Sequence, residues 1–191
     1  MTSDNRCHAR LTSRWVGAVL MSGIMLLQGC GGGAAPNPKP SAADPAVLLD
    51  QALKANASGD SAAAKGGFEA LLRQDPNNKL AAYNLGVLAQ QAGDDAAAAG
   101  HYKKTLELDP TYEPALYNLA ILTNKQGDAQ GAAALYERAI KADPRDANAH
   151  YNYGLLLRRL GNEQRAQSLI DQAIKLDPGL KQPAPVASTS G

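Results

Sequence analysis

An Asp-Pro pair recurs along this chain at Asp75-Pro76, Asp109-Pro110, Asp143-Pro144 and Asp177-Pro178, and successive prolines stand 34 residues apart every time. Each pair closes an amphipathic run, as in "LELDPTY", where Leu106 and Leu108 precede the stop. Proline removes the backbone donor that a continuing helix requires and drives the residue before it into an extended conformation. Four helix stops at one strict period mean a repeated structural unit.

Cut at that period, the chain yields units 45–78, 79–112, 113–146 and 147–180, which align without a gap. Midway through each unit stands Gly59-Asp60, Gly93-Asp94, Gly127-Asp128 or Gly161-Asn162. Glycine enters the left-handed region that ends one helix, and Asp or Asn accepts from the free amides that begin the next. Each unit therefore reads as helix, tight turn, helix, stop. Five residues after each turn glycine comes Ala64, Ala98, Ala132 or Ala166, and four residues later Phe68, Tyr102, Tyr136 or Ile170. A small residue lets two helices approach, and a bulky one on the same face fills the space beside it.

These features resemble the tetratricopeptide repeat family, whose 34-residue pattern places W, L-G, Y, A, F and P at fixed offsets. The first-helix matches are Leu85-Gly86, Leu119-Ala120 and Tyr153-Gly154. Leu48, Ala82, Leu116 and His150 stand where the pattern has Trp, and Ala55, Ala89, Thr123 and Leu157 where it has Tyr. The first unit, with Gln51-Ala52 in place of L-G, departs furthest. The resemblance covers 45–180 and implies an all-α fold, an α-solenoid of four helix-turn-helix repeats.

Ahead of the repeats, residues 1–15 are polar and carry Arg6, Arg10 and Arg14, and Val16 to Leu27 is an apolar run of twelve. That length is short for a permanent membrane-spanning helix and fits a signal-peptide core. Leu27-Gln28-Gly29-Cys30 then resembles the lipobox of bacterial lipoproteins, with Gln28 departing from the small residue usual there. The resemblance implies a signal peptide at 1–29 and Cys30 as the lipidated mature N-terminus, anchoring the chain to the membrane. More than one acyl chain is what makes such an anchor stable. It also implies an exported protein facing the periplasm or exterior. Gly31 lacks the acidic residue that in some bacteria retains lipoproteins at the inner membrane, and both membranes stay open as destinations.

Removal of the leader takes three of 19 basic and one of 18 acidic residues, leaving 16 and 17. A chain that is near neutral and without a basic stripe does not suit nucleic acid. One cysteine then remains, so no internal disulfide forms although export would permit one. Covalent chemistry finds no footing either. His101 and His150 lie in different units, with no Cys, Ser or carboxylate spaced for a triad or a zinc pair. The triplet Gly31-Gly32-Gly33 lacks the Lys-Ser/Thr of a phosphate loop. No cofactor, metal or enzymatic activity is expected.

The stretch from Gly31 to Asp44, "GGGAAPNPKPSAAD", lacks apolar periodicity and reads as a flexible tether following Cys30. Extended at about 3.1 Å per residue, it reaches up to roughly 40 Å from the lipid. The tail 181–191, "KQPAPVASTSG", is likewise expected to be disordered. No extra helix follows the last unit, so Leu169, Ile170, Ala173 and Ile174 lack a partner helix. Either Arg165, Gln167 and Lys175 keep that end soluble, or it is a contact surface through which a homodimer or an end-to-end array forms.

Stacked units bring equivalent first-helix residues into columns on the concave face. One file is Tyr83, Tyr117 and Tyr151, and its neighbour is Asn84, Asn118 and Asn152; a turn further on lie Val87, Ile121 and Leu155, then Gln90, Asn124 and Arg158. Aromatic rings give contact area at low entropic cost, and amides both donate to and accept from a backbone, so the groove suits an extended peptide or a helix. The asparagines equally suit bridging between neighbouring helices. Family members that grip a C-terminal carboxylate use Lys and Arg beside such asparagines, whereas here Lys125, Arg158 and Arg159 are confined to helix ends. The expectation is a lipid-anchored adaptor or assembly factor that binds other envelope proteins, with a self-associating structural protein as the alternative.

Overall fold

The structure, a computed structural model, describes residues 44–184. The expected signal peptide, Cys30, the tether through residue 43 and the tail from residue 185 lie outside the described residues. Eight helices follow in order among those described: α1 (Pro45–Ala57), α2 (Ser61–Gln74), α3 (Lys79–Gln91), α4 (Asp95–Leu108), α5 (Glu113–Lys125), α6 (Ala129–Ala142), α7 (Ala147–Arg159) and α8 (Glu163–Leu176). Each odd-numbered helix pairs most extensively with the even-numbered one after it, and each pair packs on the next. This is an all-α solenoid of helix pairs. No described helix is long and apolar enough to cross a membrane.

The turn inside each pair has one construction. Gly59, Gly93, Gly127 and Gly161 take φ of +81°, +80°, +89° and +83°, where a Cβ would be strained. The residue after each glycine caps the following helix: Asp60 accepts from the Ala63 amide at 3.0 Å, Asp94 from Ala97 at 3.0 Å, Asp128 from Gly131 at 2.8 Å and Asn162 from Arg165 at 3.3 Å. Such caps satisfy an amide that would otherwise be orphaned at the helix start.

The stops are equally uniform. The amides of Asp75, Asp109, Asp143 and Asp177 each close a last helical turn at 2.8 Å, onto Leu71, Thr105, Ala139 and Ala173. Each Asp backbone then turns out of the helix, and its carboxylate accepts from the amide two residues on, at Asn77, Thr111, Arg145 and Gly179. The column of carboxylates is thus accounted for by turn chemistry.

Packing follows the small-and-large alternation. Ala64, Ala98, Ala132 and Ala166 are fully buried, as are Phe68, Tyr102 and Ile170, with Tyr136 nearly so. A Cβ on Gly86 would sit 2.6 Å from the Tyr102 ring, and one on Gly154 would sit 2.7 Å from Ile170 and 3.0 Å from the Ala166 carbonyl. Close approach, rather than a turn, therefore fixes glycine at those two positions. His150 is a packing residue, 1% exposed, with Nδ1 2.9 Å from the Asp146 carbonyl.

Candidate functional site

Helices α3, α5 and α7 carry the nine residues expected to line the groove. All nine are half-buried: Tyr83, Tyr117 and Tyr151; Asn84, Asn118 and Asn152; Val87, Ile121 and Leu155. Tyr83 and Val87 pack against the core formed by α4 and α5, and Tyr117 and Ile121 against that formed by α5 to α8. Their rings are held from below as well. Tyr83 lies 5.8 Å from Tyr102 and 5.2 Å, edge-on, from Tyr112, and Tyr117 lies 6.2 Å from Tyr136.

The two polar files interlock across units. The Asn118 side-chain amide donates to the Tyr83 hydroxyl at 3.2 Å, and Asn152 donates to Tyr117 at 2.6 Å. Each rung uses one N–H of the asparagine and one lone pair of the tyrosine. The Asn carbonyl and the Tyr O–H proton are left over, so a bridging asparagine still has an acceptor to offer. Burial pushes the Tyr83 and Tyr117 hydroxyls above their ordinary pKa, so each stays a donor well into the alkaline range.

Both ends of the ladder are incomplete, for reasons visible in the sequence. Asn84 has Leu49 one step earlier where a rung needs a tyrosine, and its amide donates instead to the Leu80 carbonyl of its own helix at 2.7 Å. Tyr151 meets no asparagine of a fifth unit and donates to the Lys181 carbonyl at 2.9 Å. The chain just past the last helix therefore has a place in the structure over Lys181–Pro183, narrowing the tail expected to be disordered.

The fourth file is engaged internally. Gln90 accepts from the Tyr102 hydroxyl at 2.7 Å, Asn124 accepts from Arg159, and Arg158 donates to the Pro183 carbonyl at 3.5 Å. Sequence reasoning missed these partners because each depends on a group from another helix, another unit or the tail.

Electrostatics differ between joints. Lys79, first residue of α3, pairs with Asp109 at 2.6 Å and holds that carboxyl below its usual range. Glu113 starts α5 at the equivalent position and faces Asp146 and Asp143 instead. Burial first, then these two carboxylates, push the Glu113 carboxyl up to about 7, and its Oε1 is buried without a hydrogen bond. With both acids ionised there is no donor between them; a proton on one lets them share it.

A cavity of about 320 Å³ lies away from these files, lined by Ser61, Lys65, Leu88, Asp94 and His101 among others. Burial lowers the His101 pKa. Among the described residues no group of three or more His, Cys, Asp or Glu is arranged to hold a metal ion.

The tetratricopeptide repeat family model matches residues 49–113 and 117–181. No curated protein matches the chain in sequence. Among solved structures, the chain is similar to the MamA protein at 27% identity and a TM-score of 0.63, covering 71% of this chain and 74% of that one. It shares its fold with YrrB, described as "a TPR protein with an unusual peptide-binding site", at 21% identity and a TM-score of 0.60, over 72% of this chain and 71% of that one. A tetratricopeptide repeat protein from Parabacteroides merdae has the same fold at 23% identity and a TM-score of 0.62, over 70% of this chain and 54% of that one. The uniform turns, the Asp-Pro stops, the small-and-large packing and the family match over both halves of the repeat region agree: this chain is a member of the tetratricopeptide repeat family.

Proposed function

We propose that this chain is a peptide-binding adaptor tethered to the bacterial cell envelope through Cys30, with the tyrosine and asparagine files of α3, α5 and α7 as its groove. Membership of a family of protein-interaction scaffolds supports an adaptor in place of an enzyme. The observation that carries the groove assignment is the ladder itself. Each interior rung leaves one Tyr O–H and one Asn carbonyl unspent beside a half-buried apolar side chain, Val87, Ile121 or Leu155. A peptide backbone offers the complementary acceptor and donor at every residue, and its side chains can cover the apolar file. Asn84, free of any rung, is the most adaptable of the three amides.

The anchor rests on the lipobox resemblance at Leu27 to Cys30. Such a protein would dock or assist assembly of other envelope proteins. In-cell crosslinking from a photoreactive residue at Tyr117, with a Cys30→Ser control, tests both parts. Reproducible capture of one envelope protein, lost without the anchor, supports the reading. Capture of the chain alone replaces the adaptor with self-association, and capture unchanged by Cys30→Ser removes the anchor from the proposal.

A further inference from the structure

Beyond Asp177 the chain makes a short turn, with the Leu180 amide donating to the Asp177 carbonyl at 3.1 Å, and then runs alongside α7. Three points of contact hold it. Tyr151 donates to the Lys181 carbonyl at 2.9 Å, and two residues later Arg158, two helical turns along α7, donates to the Pro183 carbonyl at 3.5 Å. Between them the Gln182 side chain faces α8, where its amide donates to Asp171 at 2.7 Å and its carbonyl accepts from Gln167 at 3.2 Å. Gln167 also donates to Asp171 at 2.8 Å, which presets the pair before Gln182 arrives. Pro183 is half-buried although its neighbours Gln182 and Ala184 are exposed.

The chemistry of this contact is selective. Both backbone interactions are donated by the protein to carbonyls, so proline, which lacks an N–H, is tolerated at no cost. The middle position needs a group that donates and accepts at once, as a glutamine amide does and a carboxylate or ammonium does not. Tyr151, which no asparagine of a following unit contacts, spends its O–H on the Lys181 carbonyl. From these contacts we infer that Tyr151, Arg158, Gln167 and Asp171 form a recognition site for an extended segment with glutamine between two carbonyl contacts, occupied in cis by Lys181–Pro183 as a displaceable stopper. The ligand in trans is an extended peptide of the same Lys-Gln-Pro chemistry. The site lies at the end of the array, and it stands whether or not the interior files hold a peptide.

A tethered segment competes at a millimolar effective concentration, so a free peptide at micromolar levels is excluded until the tether is released. Gln182→Glu in the full chain supplies that release by setting a carboxylate against Asp171, at an exposed position where folding is not at stake. The probe is a fluorescein-labelled synthetic peptide of residues 180–186, followed by anisotropy. The expected result is binding to the Gln182→Glu chain, at least tenfold weaker binding to the native chain, and loss of binding when Asp171→Ala or Tyr151→Phe is added to Gln182→Glu. The same peptide carrying glutamate at the glutamine position binds at least tenfold more weakly. Equal binding to the native and released chains, or binding to neither, overturns the stopper; binding that survives Asp171→Ala and Tyr151→Phe overturns the site.

Discussion

The interior joints of this array and its two ends are built from the same repeat yet behave differently. Inside, every Tyr-Asn rung is closed by a neighbour, as between Tyr83 and Asn118 or Tyr117 and Asn152. At the first joint Leu49 cannot complete a rung and Asn84 falls back on its own helix; at the last, Tyr151 takes a carbonyl of the tail. In a one-dimensional array each unit touches only its neighbours, so stability is a sum of unit and interface contributions and the ends hold fewer of the latter. The same sequence position therefore ties neighbouring units in the middle and bonds its own helix or the tail at the edge.

The largest test of that contrast removes a buried ring at each place. Phe68→Ala and Tyr136→Ala each cost about 3–5 kcal/mol. Tyr136 lies between Tyr117 of its own unit and Tyr153 of the next, at 6.2 and 6.1 Å, at an interior joint, whereas Phe68 belongs to the first cluster. Urea denaturation followed by circular dichroism is expected to show Phe68→Ala fraying α1 and α2 ahead of the rest. Tyr136→Ala lowers the midpoint of the whole helical signal. Identical profiles for the two would mean that the array unfolds as one block and that ends and interior do not differ.

Glycines give a smaller contrast of opposite sign. Gly86→Ala drives a methyl into the buried Tyr102 ring and is expected to cost about 1–3 kcal/mol, since overpacking displaces neighbours that have no room. Gly66→Ala, within α2, meets nothing within 4 Å and is expected to stabilise by about 0.5–1 kcal/mol through helix propensity. Thermal unfolding of the two variants separates them, and a stabilising Gly86→Ala would refute the close approach of α3 and α4.

The rungs themselves come next. Asn152→Ala breaks an interunit bond and is expected to cost about 0.5–1.5 kcal/mol, while Asn84→Ala loses only an exposed bond within α3 and changes stability by no more than a few tenths. If the groove binds peptide, Asn84→Ala lowers affinity without lowering the melting temperature. Equal melting temperatures for Asn152→Ala and Asn84→Ala would show that the ladder does not couple units.

What the sequence discloses tracks how local each determinant is. The glycine turn, the Asp or Asn cap and the Asp-Pro stop are settled within five residues, and each was legible as a motif with a mechanism. The files of Tyr83, Asn84 and Val87 and their equivalents were legible too, because a 34-residue period fixes which residues line up. Their bonding was not, since whether Asn118 bridges or stands free depends on Tyr83, 35 residues away and on another helix. The stopper at Lys181–Pro183 was hidden for the same reason: a Pro-rich stretch with no periodicity has no signal of its own, and its place is set by Tyr151 and Arg158.

The smallest expected effect concerns the interior joint that is not uniformly tight. Where Lys79 pairs with Asp109, the repeat at Glu113 brings a carboxyl against Asp146 and Asp143. Between its ordinary value of 4.5 and about 7, folded Glu113 holds a proton that the unfolded chain has released. The folded state binds more protons there, so stability falls as pH rises through that window and levels off above it. Asp109, whose pKa is lowered by Lys79, acts in the opposite sense and only on acidification below its ordinary range, which keeps the two effects apart. Glu113 is half-buried at the helix start and the rest of its carboxyl is screened by solvent, so its contribution is on the order of 1 kcal/mol or less. Melting temperatures measured from pH 5 to 8 are expected to fall for the native chain relative to Glu113→Gln, with the variant more stable at pH 8 and the two converging at pH 5. His101, whose pKa is lowered by burial, acts with the opposite sign in part of this window but equally in both chains, so the difference between them isolates Glu113. A difference that does not change between pH 5 and 8 would mean that the folded Glu113 carboxyl keeps its ordinary pKa and that this joint is as permissive as the ends.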